Sequence, residues 1–173
     1  LAVANLVPVK GIDILLDAFE LLAEKHNSIR LLVVGDKEND YGKEMEERVI
    51  HSSYSSRIHF TGKVQNISDY YSITDVFVLP TLDVGEGCPV SLLEAMSFEI
   101  PTIASNVAGI KEILYDFKDM LFQPGDKIDL KNKILFELKN RSRVKKKLRE
   151  HVMRNFSIEN EVKAHENTYE KIL

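Results

Sequence analysis

The sequence lacks most features that identify a secreted, membrane-spanning or metal-binding protein. It has one cysteine, Cys88, so an intrachain disulfide is excluded and a reducing compartment is expected. No apolar run approaches the roughly 20 residues that a membrane-spanning helix needs. The five histidines are scattered without the spacing of metal ligands, so no metal site is predicted.

Strong charge and targeting signals are also lacking. A net charge of -4 gives no general attraction for nucleic acid, and no nucleic-acid partner is expected. Leu1 already lies in a strand-like run, without an initiator methionine or a signal peptide. We therefore expect a cytoplasmic domain that belongs to a longer polypeptide. The 173 residues, of which 44% are apolar and 29% charged, are enough for a single globular domain over residues 1–173.

Short apolar, β-branched runs alternate with segments of helical periodicity, which predicts an α/β fold with a parallel sheet and helices on both faces. In such sheets ligands bind at the carboxyl ends of the strands. The predicted strands are Leu1–Asn5, Arg30–Val34, Ile58–Thr61, Val76–Leu79, Thr102–Ala104 and Met120–Phe122. The predicted helices are Ile12–Lys25, Gly42–Ser53, Ile67–Ile73, Pro89–Phe98 and Ile110–Leu114, and the chain is predicted to be helical from Asp126 to its end.

Two acidic residues flank the start of a predicted helix in the run GEGCPVSLLEAM. Glu86 precedes the helix, whose first turn is marked by Pro89, and Glu94 lies about a turn and a half inside it. Free N–H groups at a helix start bind phosphate oxygens, and carboxylates accept hydrogen bonds from sugar hydroxyls. The pattern predicts a site for a polyhydroxylated anion. The alternative is that Glu86 is a solvated loop residue and Glu94 the partner of an ion pair.

The loop after the first strand ends in Lys10 and Gly11. A lysine there can neutralise a diphosphate, and the glycine permits close approach of the backbone; the alternative is a surface lysine in a turn. No G-x-G-x-x-G motif follows the strand, which counts against a dinucleotide-binding oxidoreductase.

Three segments of the chain resemble one enzyme family. Residues 75–104 have the sequence DVFVLPTLDVGEGCPVSLLEAMSFEIPTIA, which resembles the signature of retaining GT-B glycosyltransferases, glycosyltransferases group 1 (family 4). The opening ANLVPVKGIDILLDAF and the closing FSIENEVKAHENTYEKIL resemble two further motifs of the family. The resemblance implies a Rossmann-like domain, the C-terminal, donor-binding half of a GT-B fold, with the N-terminal acceptor domain absent from this chain.

The resemblance also implies a role for each matched residue. Glu86 would contact hydroxyls of the transferred sugar, Glu94 the ribose hydroxyls of the nucleotide, and Lys10 the diphosphate. Asn5 stands where the family often has an arginine, and Glu99 where it often has glycine; the loop before Glu86 is slightly longer than usual. The other positions that would bind the donor, mostly through backbone groups, are Asn5, Gly11, Gly62, Val64, Gly87, Cys88 and Val90.

The implied function is transfer of a sugar from a nucleotide-diphosphate sugar to an acceptor hydroxyl with retention of configuration, in polysaccharide, lipopolysaccharide or other glycoconjugate synthesis. No cofactor or metal is implied. An acceptor glycan or lipid-linked sugar would bind the absent N-terminal domain, so the isolated chain is expected to be inactive. Two alternatives remain: a glycogen- or sucrose-synthase-like glucosyltransferase, and a non-catalytic module, which Asn5 and Glu99 favour slightly.

The segment Lys139–Arg149, KNRSRVKKKLR, is strongly basic. Such a run is most often a solvated helix face. It could also contact anionic lipids, which would add a peripheral position at the inner face of the membrane to the expected cytoplasmic location.

Overall fold

The computed structural model describes residues 1–82, 86–140 and 144–172, and the structural statements below refer to these ranges. The strands are β1 (Ala2–Val3), β2 (Leu31–Val34), β3 (Ile58–Gly62), β4 (Phe77–Leu79), β5 (Thr102–Ser105) and β6 (Leu121–Phe122). The α-helices are α1 (Ile12–Ala23), α2 (Asp40–Ile50), α3 (Ile67–Ser72), α4 (Val90–Ser97), α5 (Ile110–Ile113), α6 (Lys127–Lys139), α7 (Lys145–Asn155) and α8 (Ile158–Ile172). Short 3₁₀ turns lie at Pro8–Lys10, Ser55–Arg57 and Lys118–Met120.

All paired strands are parallel, in two sheets of three with the orders β3-β2-β1 and β4-β5-β6. The two sheets adjoin, because the Leu1 nitrogen donates to the Val76 carbonyl at 2.9 Å and the Val78 N–H donates to the Leu1 carbonyl at 2.8 Å. This is the hydrogen-bond pattern of parallel strands. The chain order reverses between β1 and β4, so the switch point at which such folds bind ligands lies there.

Side chains alternate between two apolar cores, one on each face of the sheet. Val78 and Ile103 point to the core covered by α1, α2 and α6, whereas Leu79 and Ala104 point to the core covered by α4, α5 and α7. Strands covered on both faces bury nearly every residue, which is why these runs are continuously apolar. The predicted α/β parallel sheet with helices on both faces is confirmed.

Several predicted boundaries were wrong by a few residues. Pro89 is the cap before α4 rather than part of its first turn, because its ψ of 106° is extended. Helix α2 begins at Asp40, not at Gly42, because the Asn39 side chain accepts from the Gly42 N–H at 2.9 Å and caps the helix there. From Asp126 the chain is helical as predicted over the described residues, which form α6, α7 and α8.

The strands are shorter than predicted at β1, which covers Ala2–Val3 rather than Leu1–Asn5. Asn5 turns out of the ladder, as its carbonyl accepts from the Val7 N–H at 3.0 Å. Within the described ranges, no helix is both long and apolar enough to cross a bilayer.

Candidate functional site

The loops that follow β1 and β4 are in direct contact at the switch point of the sheet. The Leu82 N–H donates to the Val9 carbonyl at 2.8 Å, which ties the 3₁₀ turn Pro8–Lys10 to the end of β4. Gly11 has a φ of 63°, and a Cβ there would lie 2.1 Å from the Pro80 carbonyl oxygen. The close approach that Gly11 permits is therefore to the neighbouring strand, and it places Lys10 beside the β4 loop.

Lys10 and Glu86 form an ion pair, although 76 positions separate them in the sequence. The ammonium contacts Oε1 of the carboxylate, and the Thr81 hydroxyl donates to the same oxygen at 3.1 Å. The Glu86 side chain is only 9% exposed and that of Lys10 25%. A carboxylate this buried needs such partners. Glu86 is thus not a solvated loop residue.

Glu94 is held in a different way, by a neutral partner. The Tyr71 hydroxyl donates to Glu94 Oε2 at 2.8 Å and lies 3.3 Å from the Ser91 carbonyl. Tyr71 comes from α3, is 2% exposed, and packs against the rings of Phe77 and Phe98. Burial, together with the hydrogen bond to Glu94, raises the pKa of the Tyr71 phenol well above its usual value, so the hydroxyl remains a donor into alkaline solution.

The start of α4 lies between the two acidic residues. Pro89 is buried and caps the helix without a side-chain hydrogen bond, while Gly87, Cys88 and Val90 are exposed. The first N–H groups of a helix have no partner within the helix. A solvent-facing helix start without a side-chain cap can therefore take an anion.

The loop after β5 supports the Glu86 loop from the other side. Gly109 has a φ of 82°, and a Cβ there would lie 1.7 Å from the Glu86 carbonyl oxygen. Its N–H donates to the Glu112 carboxylate, which caps α5. Glu86, Gly87, Gly109 and Glu112, with Ala108, line an open depression of about 520 Å³.

Asn5, Gly62 and Val64 lie at the carboxyl ends of β1 and β3. Asn5 is exposed, and its side-chain oxygen accepts from the Asp36 N–H at 3.4 Å. No hydrogen bond joins Asn5 to Lys10, Glu86 or Glu94 in the part of the chain that the structure describes. Asn5 therefore bridges the loops after β1 and β2.

The Gly62 carbonyl is already engaged, because it accepts from the Gly35 N–H at 3.1 Å and from the Thr61 hydroxyl at 2.9 Å. A ligand at this edge would have to use other backbone groups. Nearby, Lys63 pairs with Asp36 at 2.8 Å, and this hydrogen bond lowers the pKa of the Asp36 carboxyl.

A larger cavity, of about 680 Å³, lies at the opposite end of the sheet between α1 and α6. It is lined mainly by apolar residues such as Phe19, Leu22 and Ile134, and it contains none of the predicted site residues. We favour the smaller depression as the ligand site, because parallel α/β sheets bind ligands at the carboxyl ends of their strands.

Two features of the sequence are only partly described. In the basic segment, Lys146 pairs with Glu150 at 3.8 Å and Arg149 donates to the Ser97 carbonyl at 2.9 Å, while residues 141–143 lie outside the described ranges. Residues 83–85, the longer loop before Glu86, also lie outside them. Among the described residues, no three His, Cys, Asp or Glu side chains group closely enough to hold a metal ion.

A sequence model of the glycosyl transferases group 1 family matches residues 1–155 of the chain. The chain belongs to this family. A capsular polysaccharide biosynthesis glycosyltransferase of Staphylococcus aureus is 30% identical over 122 residues, covering 70% of the chain and 34% of the relative. Mannosylfructose-phosphate synthase of Agrobacterium fabrum is 32% identical over 139 residues, covering 75% of the chain and 30% of the relative. The chain thus spans about a third of the length of these curated relatives.

A solved structure of the Anabaena protein HepE, in complex with UDP and glucose, matches with a TM-score of 0.83. It is 23% identical, and the match covers 96% of this chain and 48% of HepE. At this identity the likeness shows the fold alone. It agrees with the predicted Rossmann-like half of a GT-B structure, and the predicted family is confirmed.

Sequence reasoning did not single out Thr81 or Tyr71. Thr81 was part of the run LPTLDVGEG, but nothing in that run indicates which carboxylate its hydroxyl meets. Tyr71 had no signal beyond its apolar helical neighbours, since its partner Glu94 is 23 positions away.

Proposed function

We propose that this chain is the donor-binding domain of a glycosyltransferase that moves a sugar from a nucleotide-diphosphate sugar to an acceptor hydroxyl with retention of configuration. The single observation that carries this proposal is the contact between Lys10 and Glu86 at the switch point, beside the uncapped start of α4. One cation, free helix N–H groups and two carboxylates suit a ligand that has both phosphates and hydroxyls.

In this proposal the diphosphate binds between Lys10 and the first N–H groups of α4. Departure of the nucleoside diphosphate builds negative charge on its outer phosphate, and groups placed in advance stabilise that charge. Glu86 would accept hydrogen bonds from the sugar and Glu94 from the ribose. Gly87, Cys88 and Val90 would contribute backbone N–H groups, while Gly62 and Val64 would flank the base.

The acceptor, a glycan or a lipid-linked sugar, would bind to a part of the full-length enzyme outside residues 1–173, so the isolated chain would bind donor without transferring it. The name of the Staphylococcus aureus relative supports a role in polysaccharide or other glycoconjugate synthesis. Mannosylfructose-phosphate synthase, as its name says, makes a small phosphorylated product, which keeps a sucrose-synthase-like acceptor as the second candidate.

Calorimetric titration of the chain with UDP, GDP and ADP tests the proposal. Saturable binding of at least one of them, with lower affinity in Lys10→Ala and Glu94→Ala, is expected. No binding at millimolar nucleotide would instead favour a non-catalytic module. In such a module the Lys10–Glu86 ion pair would be purely structural.

A further inference from the structure

Each of the two acidic residues uses one oxygen within the protein and leaves the other without a described partner. On Glu86, Lys10 and Thr81 both contact Oε1. On Glu94, Tyr71 contacts Oε2. Among the described residues, no donor contacts Oε2 of Glu86 or Oε1 of Glu94. Either oxygen of a carboxylate can accept a hydrogen bond, so chemistry alone does not require that one oxygen be used within the protein and the other left over.

The two hydroxyls that contact Glu86 and Glu94 belong to buried residues. Thr81 is 1% exposed and lies between the end of β4 and Leu82, whose N–H donates to the Val9 carbonyl at 2.8 Å. Tyr71 is 2% exposed on α3, where its ring is packed between Phe77 and Phe98. Buried hydroxyls fixed in this way hold a carboxylate in one orientation, which lowers the entropy lost when a ligand binds.

We propose that Thr81 and Tyr71 are positioning residues, which turn Oε2 of Glu86 towards the sugar and Oε1 of Glu94 towards the ribose of a bound nucleotide sugar. The inference rests on the proposed function. It adds that the two hydroxyls act on different parts of the donor, Thr81 through Glu86 on the sugar and Tyr71 through Glu94 on the nucleoside.

The test compares affinities of the chain for a nucleoside diphosphate and for its sugar conjugate, using the pairs UDP and UDP-glucose, GDP and GDP-mannose, and ADP and ADP-glucose. For the pair that binds, Thr81→Val should lower the affinity for the sugar conjugate about fivefold. It should change the affinity for the nucleoside diphosphate less than about twofold. Thr81→Ser keeps the hydroxyl and should restore the affinity.

Thr102→Val is the matched control for Thr81. Thr102 is another buried threonine, but it begins β5 and its hydroxyl donates to the Ile100 carbonyl at 2.9 Å. This variant should leave both affinities unchanged.

Tyr71→Phe keeps the ring packing and removes only the hydroxyl. It should weaken the nucleoside diphosphate and its sugar conjugate equally, by about fivefold. Against a 2′,3′-dideoxy nucleoside diphosphate, which has no ribose hydroxyls, the variant and the unmodified chain should bind equally well.

Two patterns would overturn the inference while nucleotide binding itself stands. One is an equal effect of Thr81→Val on both ligands, or failure of Thr81→Ser to restore affinity. The other is a Tyr71→Phe loss that persists with the dideoxy ligand. If the unmodified chain bound none of the six probes, the proposed function would fail, and this inference with it.

Discussion

The surroundings of Glu86 and Glu94 differ although both flank the same helix start. Glu86 belongs to a loop, is nearly buried, and contacts the ammonium of Lys10 and the hydroxyl of Thr81. Glu94 belongs to the helix, is half-buried, and meets the neutral phenol of Tyr71. An ammonium compensates the charge of a carboxylate that it contacts, whereas a phenol supplies no opposite charge.

Because of this difference, Glu86 and Glu94 would interact with a ligand in different ways. Glu94 can accept ribose hydroxyls without any change in its protein contacts. Glu86 competes with phosphate for Lys10, so a diphosphate has to share or displace that ion pair. In the proposed function, the contact of Lys10 with Glu86 would therefore change when a diphosphate binds, whereas the contacts of Thr81 with Glu86 and of Tyr71 with Glu94 would be kept.

Replacing Glu94 should have the largest effect on nucleotide binding. Glu94→Ala is expected to weaken the nucleoside diphosphate by about 30-fold or more, about 2 kcal/mol, because hydrogen bonds to a charged group are lost. Calorimetry measures this, and Glu47→Ala, a change at an exposed glutamate within α2, serves as the control. Unchanged affinity in Glu94→Ala would show that the ribose does not bind at Glu94.

Replacing Lys10 should weaken binding and also destabilise the fold. Lys10→Ala is expected to lower nucleoside diphosphate affinity about tenfold and the free energy of unfolding by about 1–2 kcal/mol, because Glu86 is left nearly buried without its cation. Urea denaturation measures the second quantity. The double variant Lys10→Ala/Glu86→Gln should recover stability but not affinity. Recovery of both stability and nucleotide affinity would mean that Lys10 only compensates the charge of Glu86 and does not bind the diphosphate.

The backbone around Glu86 depends on Gly109, and Gly125 offers a matched control. Both have positive φ values, 82° and 77°, but a Cβ on Gly109 would collide with the Glu86 carbonyl, whereas one on Gly125 meets nothing within 4 Å. Gly125→Ala should cost about 1 kcal/mol of unfolding free energy, from backbone strain alone. Gly109→Ala should cost about 1 kcal/mol more and weaken sugar-conjugate binding, as strained packing does. Equal losses of unfolding free energy in the two variants would show that the Glu86 loop moves to accommodate the added methyl group without strain.

The smallest expected effect has the opposite sign. Glu86→Gln frees Lys10 from its counter-charge, so the nucleoside diphosphate should bind about twofold more tightly while its sugar conjugate binds more weakly. Glu94→Gln should weaken both. If Glu86→Gln weakened the nucleoside diphosphate as much as Glu94→Gln does, the contrast between the two residues would be lost.

The sequence was sufficient for the parallel sheet, because each strand is a short, continuously apolar run between helical segments. It was also sufficient to place Glu86 and Glu94 around the start of a helix. It could not show that Lys10 meets Glu86, since that contact depends on β1 lying beside β4. Nor could it show that Tyr71 reaches Glu94 across two elements.

Glu99 illustrates a departure that the structure explains. This residue stands where the family often has glycine, and its φ of 60° is the left-handed conformation that favours glycine just after a helix. The backbone turn after α4 is thus kept despite the substitution. The slight support that Glu99 gave to a non-catalytic module therefore weakens, while that from Asn5 remains.

Mapping of backbone amide shifts on titration with UDP, GDP and ADP tests the central claim most directly. If the claim holds, the largest shifts occur at Lys10, Gly87, Val90 and Glu94, with smaller ones near Gly62. Shifts confined to the apolar cavity around Phe19 and Ile134, with the start of α4 unaffected, would contradict it.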